Sequence, residues 1–180
     1  NTAWVRDLAT YGPYSLKKRL VSPTSSHWLR VNPYTNDLNY YVIRYADVLL
    51  WRAEAAIQTG DLETGRNLIN QVRRRARDGK KVQKLTGGDA ATYVIAEYTS
   101  AFANQAEAIR ALKMERRLEF ALEGHRFFDL VRWGEAATVI NSYLTVEKTK
   151  RSYLTIANFI AGKNEYQPIP QNEIDLSKNT

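Results

Sequence analysis

Residues 41–79 read YVIRYADVLLWRAEAAIQTGDLETGRNLINQVRRRARDG, and this stretch decides the fold. Val42, Ala46, Leu49, Ala53 and Ala56 recur at helical spacing, and Ile43, Leu50 and Ile57 widen the same apolar stripe. Gly60 is placed to end that helix and Asp61 to cap the next one. The second helix aligns Leu62, Gly65, Leu68 or Ile69, Val72 and Ala76 on a common face, and Gly79 ends it. A turn this short makes the two helices antiparallel, and Ala53, Ala55, Ala56 and Gly65 are small enough to let them pack closely. The pair has the form of one tetratricopeptide-type unit. Arrays of such units need about three members to bury their faces. One is present here, so its remaining face is expected to be covered by chain from elsewhere.

Towards the C-terminus, Thr86-Gly87-Gly88-Asp89 reads as a turn and Ala90–Phe102 as a short helix. Asn104 with Glu107 forms a capping-box pattern that opens a long helix through about Glu123. Gly124 interrupts it, and Glu135–Tyr143 is a further helical stretch. Tyr153–Ile156 reads as a strand, and Tyr166-Gln167-Pro168-Ile169-Pro170 as an extended turn before a helical turn at Asn172–Leu176. Towards the N-terminus the period is lost. Residues 1–40 hold Pro13, Pro23 and Pro33 and the aromatics Trp4, Tyr11, Tyr14, Trp28, Tyr34 and Tyr40, which reads as loops with short extended pieces. The expected organisation is a loop-rich segment over 1–40, continuing from chain upstream, and a helical domain over 41–180. The fold class is mainly α: a tetratricopeptide-like pair, further C-terminal helices, long irregular loops and little β.

Composition narrows the chemistry. A length of 180 residues suits about one domain. Hydrophobic and charged fractions of 44% and 25% exclude a disordered or collagen-like chain. With no cysteine, disulfides, thiolate metal sites and cysteine nucleophiles are excluded. The net charge of +7 is local, since residues 66–84 carry eight cations against Asp78 alone. Arg73, Arg74, Arg75 and Arg77 fall in the last turns of a helix, where cations offset the helix dipole without any partner. No aromatics interleave with them and no nucleic-acid-binding motif is present, so the stretch reads as a solvated helix end.

The densest polar cluster runs from Glu115 to Trp133. Glu115, Glu119 and Glu123 recur every fourth residue, which puts three carboxylates on one helix face and demands cations between them. Arg116, Arg126 and Arg132 are the nearest in sequence. His125 follows Glu123 by two residues, the wrong interval for a Glu-x-x-His metal motif. A glycosidase pair would need its two acids to flank a sugar from different elements, with one pKa raised. Here both share a helix among arginines that are expected to depress their pKa values. The cluster Glu115, Arg116, Glu119, Glu123, Arg126, Asp129 and Arg132 is therefore read as a structural charge network, with no catalytic residue, metal or cofactor assigned. His27 beside Trp28 has no serine or acid partner at triad spacing, and no GxSxG, HExxH, Walker or dinucleotide motif occurs. Trp4, Trp28 and Tyr34 offer flat faces on which a ligand could stack, or could equally pack under loops.

Three blocks of residues carry a family resemblance. Arg44-Tyr45-Ala46-Asp47-Val48-Leu49-Leu50, with Ala53-Glu54-Ala55, Gly60-Asp61 and Ile69-Asn70-Gln71-Val72-Arg73, resembles the helix pair of the SusD/RagB family. Glu115-Arg116-Arg117 with Glu119, Glu123-Gly124-His125-Arg126 and Asp129-Leu130-Val131-Arg132-Trp133 is similar to its C-terminal block, and Tyr166–Pro170 with Glu173-Ile174 to its terminal motif. The resemblance implies a mainly helical, non-enzymatic lipoprotein of the Gram-negative outer membrane, exposed at the cell surface. It would capture oligosaccharides, or in some members peptides, for a SusC-like TonB-dependent transporter. It also implies a longer protein, with a lipidated cysteine and further helix pairs upstream of Asn1. The family's ligand sites lie in variable loops, so the matched motifs transfer no site residue, and Trp4, Trp28 and Tyr34 remain candidates by composition.

Overall fold

The computed structural model describes residues 18, 20–21, 24–28, 37–84 and 86–178. They fall into two compact units, one within Leu16–Leu122 and one from Glu123 onward. The first holds helices α1 (Tyr45–Gln58), α2 (Leu62–Asp78) and α3 (Gln105–Glu119). The second holds α4 (His125–Arg132), α5 (Ala136–Glu147), a 3₁₀ turn at Ser152–Leu154 and α6 (Gln171–Ser177). No strand occurs among the described residues. An antiparallel bridge between Gln83 and Asp89 closes the Gly87-Gly88 turn, where both glycines have positive φ. The fold is mainly α, as the sequence pattern indicates.

In the first unit α1 and α2 form the expected hairpin. Gly60 takes φ +91°, and the Asp61 carboxylate accepts the Thr64 backbone N–H at 3.0 Å as N-cap. Leu50, Ala53 and Ile57 of α1 meet Leu68, Ile69 and Val72 of α2, and Ala108, Ala111 and Leu112 of α3 complete the core with Phe102 and Phe120. Each large apolar side chain so buried contributes roughly 1.5–3 kcal/mol. Gly65 sets the approach of the two helices: a Cβ there would lie 2.4 Å from Cγ1 of Ile57.

Five boundaries differ from the sequence reading. Helix α1 begins at Tyr45, because Asp47 turns back to accept the Arg44 N–H at 3.1 Å, and this leaves Val42 and Ile43 exposed outside the stripe. Residues 90–102 form no helix and run irregularly beside α2, whose side chains take up their backbone groups. Helix α3 stops at Glu119, followed by positive φ at Leu122 and Gly124, so Glu123 is not on its face. Helix α5 runs past Tyr143 to Glu147. The expected strand at Tyr153–Ile156 is replaced by the 3₁₀ turn. The outer face of α1 carries Tyr45, Val48 and Trp51 exposed, the apolar face that the hairpin alone leaves uncovered.

Candidate functional site

Helix α2 presents a row of polar side chains to residues 95–99. Asn70, only 6% exposed, donates its amide to the Tyr98 carbonyl at 2.9 Å and accepts the Tyr98 N–H at 2.8 Å. One side chain thereby supplies both bonds that a neighbouring strand would give. Arg66 donates to the carbonyls of Tyr98 and Thr99, and Arg73 to that of Ala96. Arg74 and Arg77 both grip the Glu97 carboxylate, at 2.8 and 2.7 Å. Hydrogen bonds from Arg74 and then Arg77 hold the Glu97 carboxyl at about 2, far below its usual range. The basic stretch read as a solvated helix end is thus largely engaged with residues distant in sequence.

The α3 carboxylates meet the same helix. Glu115, at 4% exposure, receives Arg73 Nη1 at 2.7 Å, and Glu119 receives Arg75 at 2.5 Å and Arg44 at 2.8 Å. The sequence reading offered only neighbouring arginines and missed these three. A cation three residues before a capping acid (Arg44) and a run of arginines on a preceding amphipathic helix were the available signals. Burial pushes the Glu115 carboxyl up, and this outweighs the Arg73 guanidinium that pulls it down. The direction is opposite to the expected depression, because a carboxylate between packed helices loses more from water than one cation returns. The guanidiniums of Arg44 and Arg116 each stand 5.0 Å from the Phe120 ring, and Lys18 and Arg44 donate to the Glu119 carbonyl at the end of α3.

The seven residues of the expected network are divided between the units. Glu115, Arg116 and Glu119 lie on α3, whereas Glu123, Arg126, Asp129 and Arg132 belong to the second unit. There Asp129, buried on α4, accepts from Arg132 Nε at 2.9 Å, and the Arg132 guanidinium lies 4.7 Å from the Trp133 ring. Of the aromatic candidates, Trp4 and Tyr34 lie outside the described residues. Trp28 is half-buried, and its backbone N–H donates to the Ser25 carbonyl at 3.1 Å. His27 Nδ1 pairs with Asp37 Oδ1 at 2.8 Å.

Between α2 and residues 95–99 lies an open groove of about 600 Å³. Arg66, Asn67, Arg74 and Arg77 form one wall, and Ile95, Ala96 and Glu97 the other. Neither Glu115 nor Glu119 lines it. Among the described residues no group of three His, Asp or Glu is arranged to hold a metal ion, and no helix is long and apolar enough to cross a membrane.

Residues 5–180 match the model of the SusD family. The chain belongs to the SusD family. It is 31% identical over 141 residues to a SusD-like protein of Formosa agariphila, covering 73% of this chain and 26% of that relative. It also resembles a crystal structure of a SusD superfamily protein from Bacteroides vulgatus, with 34% identity and a TM-score of 0.54 over 74% of this chain and 24% of that one. This SusD-family chain therefore spans about a quarter of the length of the relatives it matches.

Proposed function

We propose that the protein is a non-enzymatic nutrient-binding component of a cell-surface uptake system, which captures oligosaccharides and passes them to a SusC-like TonB-dependent transporter in the outer membrane. The observation that carries this reading is SusD-family membership over residues 5–180. Attachment to the outer membrane is assigned to a lipidated cysteine in an upstream segment that also supplies further helix pairs. The uncovered Tyr45–Val48–Trp51 face of α1 supports such an addition. Stacking on aromatic rings, with Trp4, Trp28 and Tyr34 as the candidates, is the proposed mode of sugar capture.

The surroundings of the α3 carboxylates support binding without turnover. Glu115 and Glu119 are committed to Arg73, Arg44 and Arg75, and they share one helix rather than facing each other across a cleft. Calorimetric titration of the chain with a panel of oligosaccharides, followed by prolonged incubation and product analysis, tests the proposal. Saturable binding with intact sugar is expected. Release of reducing ends that disappears in Glu115→Gln would establish an enzyme, and binding of peptides alone would redirect the ligand class.

A further inference from the structure

We infer that the groove between α2 and residues 95–99 is a subsite for a neutral, hydroxyl-rich pyranose ring. The inference rests on the saccharide-binding role proposed above and gives it a location on α2 and residues 95–99. A volume of about 600 Å³ lies within the roughly 300–1,000 Å³ typical of small-ligand clefts. Its wall offers donors that the fold leaves unused. Arg74 commits Nε and Nη2 to Glu97, and Arg77 commits Nη1 to Glu97 and Nε to Asp78, which leaves one terminal nitrogen on each. Glu97 accepts three of their N–H groups from the facing wall, which leaves about one lone-pair site for a hydroxyl donor. A free donor on each arginine and an acceptor site on Glu97 therefore lie close together, the pattern that adjacent sugar hydroxyls match. Ile95 and Ala96 supply an apolar surface for the C–H face of a ring.

Charge decides between neutral and acidic ligands. Arg66 is matched by Glu63, Arg74 by Glu97, and Arg77 by Glu97 and Asp78. A uronate or sulfate group would have to displace Glu97 from two guanidiniums, or bind where no net charge is left over. A neutral ring needs no such exchange.

The experiment is amide chemical-shift mapping of the ¹⁵N-labelled chain, titrated with neutral hexasaccharides (malto-, cello-, xylo- and laminari-series) and with oligogalacturonate. Affinities are then measured for Asn67→Ala, Ala96→Trp and Trp28→Ala, each checked for the parent's dispersed spectrum. The expected result is that a neutral hexasaccharide shifts the amides of 95–99 and of Asn67. Asn67→Ala should weaken it about tenfold, as loss of one or two hydrogen bonds does, and Ala96→Trp at least as much by occupying the groove. Shifts confined to the vicinity of Trp28, with both groove variants unchanged, would overturn the subsite while leaving saccharide binding intact. Tighter binding of oligogalacturonate that is lost in the same variants would overturn the charge argument. No response to any sugar would instead remove the saccharide role itself. Ala96→Trp fills the groove without deleting a bond, so it decides the case even where Asn67→Ala fails to fold.

Discussion

The two units solve one problem with the same device in different surroundings. In the first, Asn70 on α2 pairs through its amide with both the N–H and the carbonyl of Tyr98. In the second, Asn141 on α5 pairs in the same way with Phe159, at 2.9 Å for each bond. An asparagine amide has the shape and polarity of a peptide group, so it can take the place of a missing neighbouring strand. The surroundings then diverge. Asn70 is buried and flanked by Arg66, Arg73, Arg74 and Arg77, whereas Asn141 is half-buried and its partner Phe159 leans on the Phe127 ring at 6.3 Å. One anchor is reinforced by charge, the other by aromatic contact. A helix that must hold irregular chain beside it therefore needs one well-placed amide, and the supporting side chains are interchangeable in kind.

The largest test strikes the support of the first anchor. Arg73 bonds Ala96, stands 5.0 Å from the Tyr98 ring and is itself fixed by Glu115. Glu115→Ala should lower unfolding stability by about 3–5 kcal/mol, as removal of one member of a buried pair does. An unchanged denaturation midpoint would show that the arginines hold the segment without α3. Next, Asn70→Ala should cost about 2–4 kcal/mol and Asn141→Ala about 1–2, because an unsatisfied backbone group is dearer where water cannot reach it. Equal losses would mean that burial does not distinguish the two anchors.

A third test uses pH. Glu97 is held at about 2, below its ordinary 4.5, so its contribution to stability is complete above pH 4.5 and fades as pH falls from there towards 2. Glu115 shifts the other way: the folded chain holds its proton more tightly, so its ionisation opposes folding as pH rises above 4.5. The difference in melting temperature between the parent and Glu97→Gln should therefore narrow between pH 7 and pH 3. A difference constant with pH would show that the grip on Glu97 is not electrostatic. The smallest effect is assigned to Gly65→Ala. The helix gains from alanine, but the clash with Ile57 should leave a net loss of about 1 kcal/mol, read from chemical denaturation. A gain in stability would show that Ile57 can move aside.

How far the sequence was legible follows from which of these contacts are local. The α1–α2 hairpin was readable because its stripe, Gly60 and Asp61 act within a turn or two of each other. The α3 start at Asn104 was readable for the same reason, since its side chain accepts the Glu107 N–H three residues on. Residues 90–102 were misread because their backbone is satisfied by Asn70, Arg66 and Arg73, more than 20 residues away, and no local pattern announces that. The partners of Glu115 and Glu119 were missed likewise: proximity in sequence favoured Arg116 and Arg126, whereas packing delivered Arg73, Arg75 and Arg44. The groove was invisible altogether, since one of its walls is a segment that the pattern made a helix.

The manner in which residues 95–99 are held has a consequence for the chain that leads to them. A β-ladder fixes register and so fixes the length of the connection before it. Point anchors at Ala96, Glu97, Tyr98 and Thr99 impose no such spacing on residues 80–94, whose turn at Gly87-Gly88 has open space around both glycines. Lengthening a flexible connection is cheap, about 0.6 kcal/mol for each doubling. The Gly87-Gly88 turn is therefore a natural graft point, where an epitope tag or a reporter peptide can be inserted without disturbing the hairpin, the anchor or the groove.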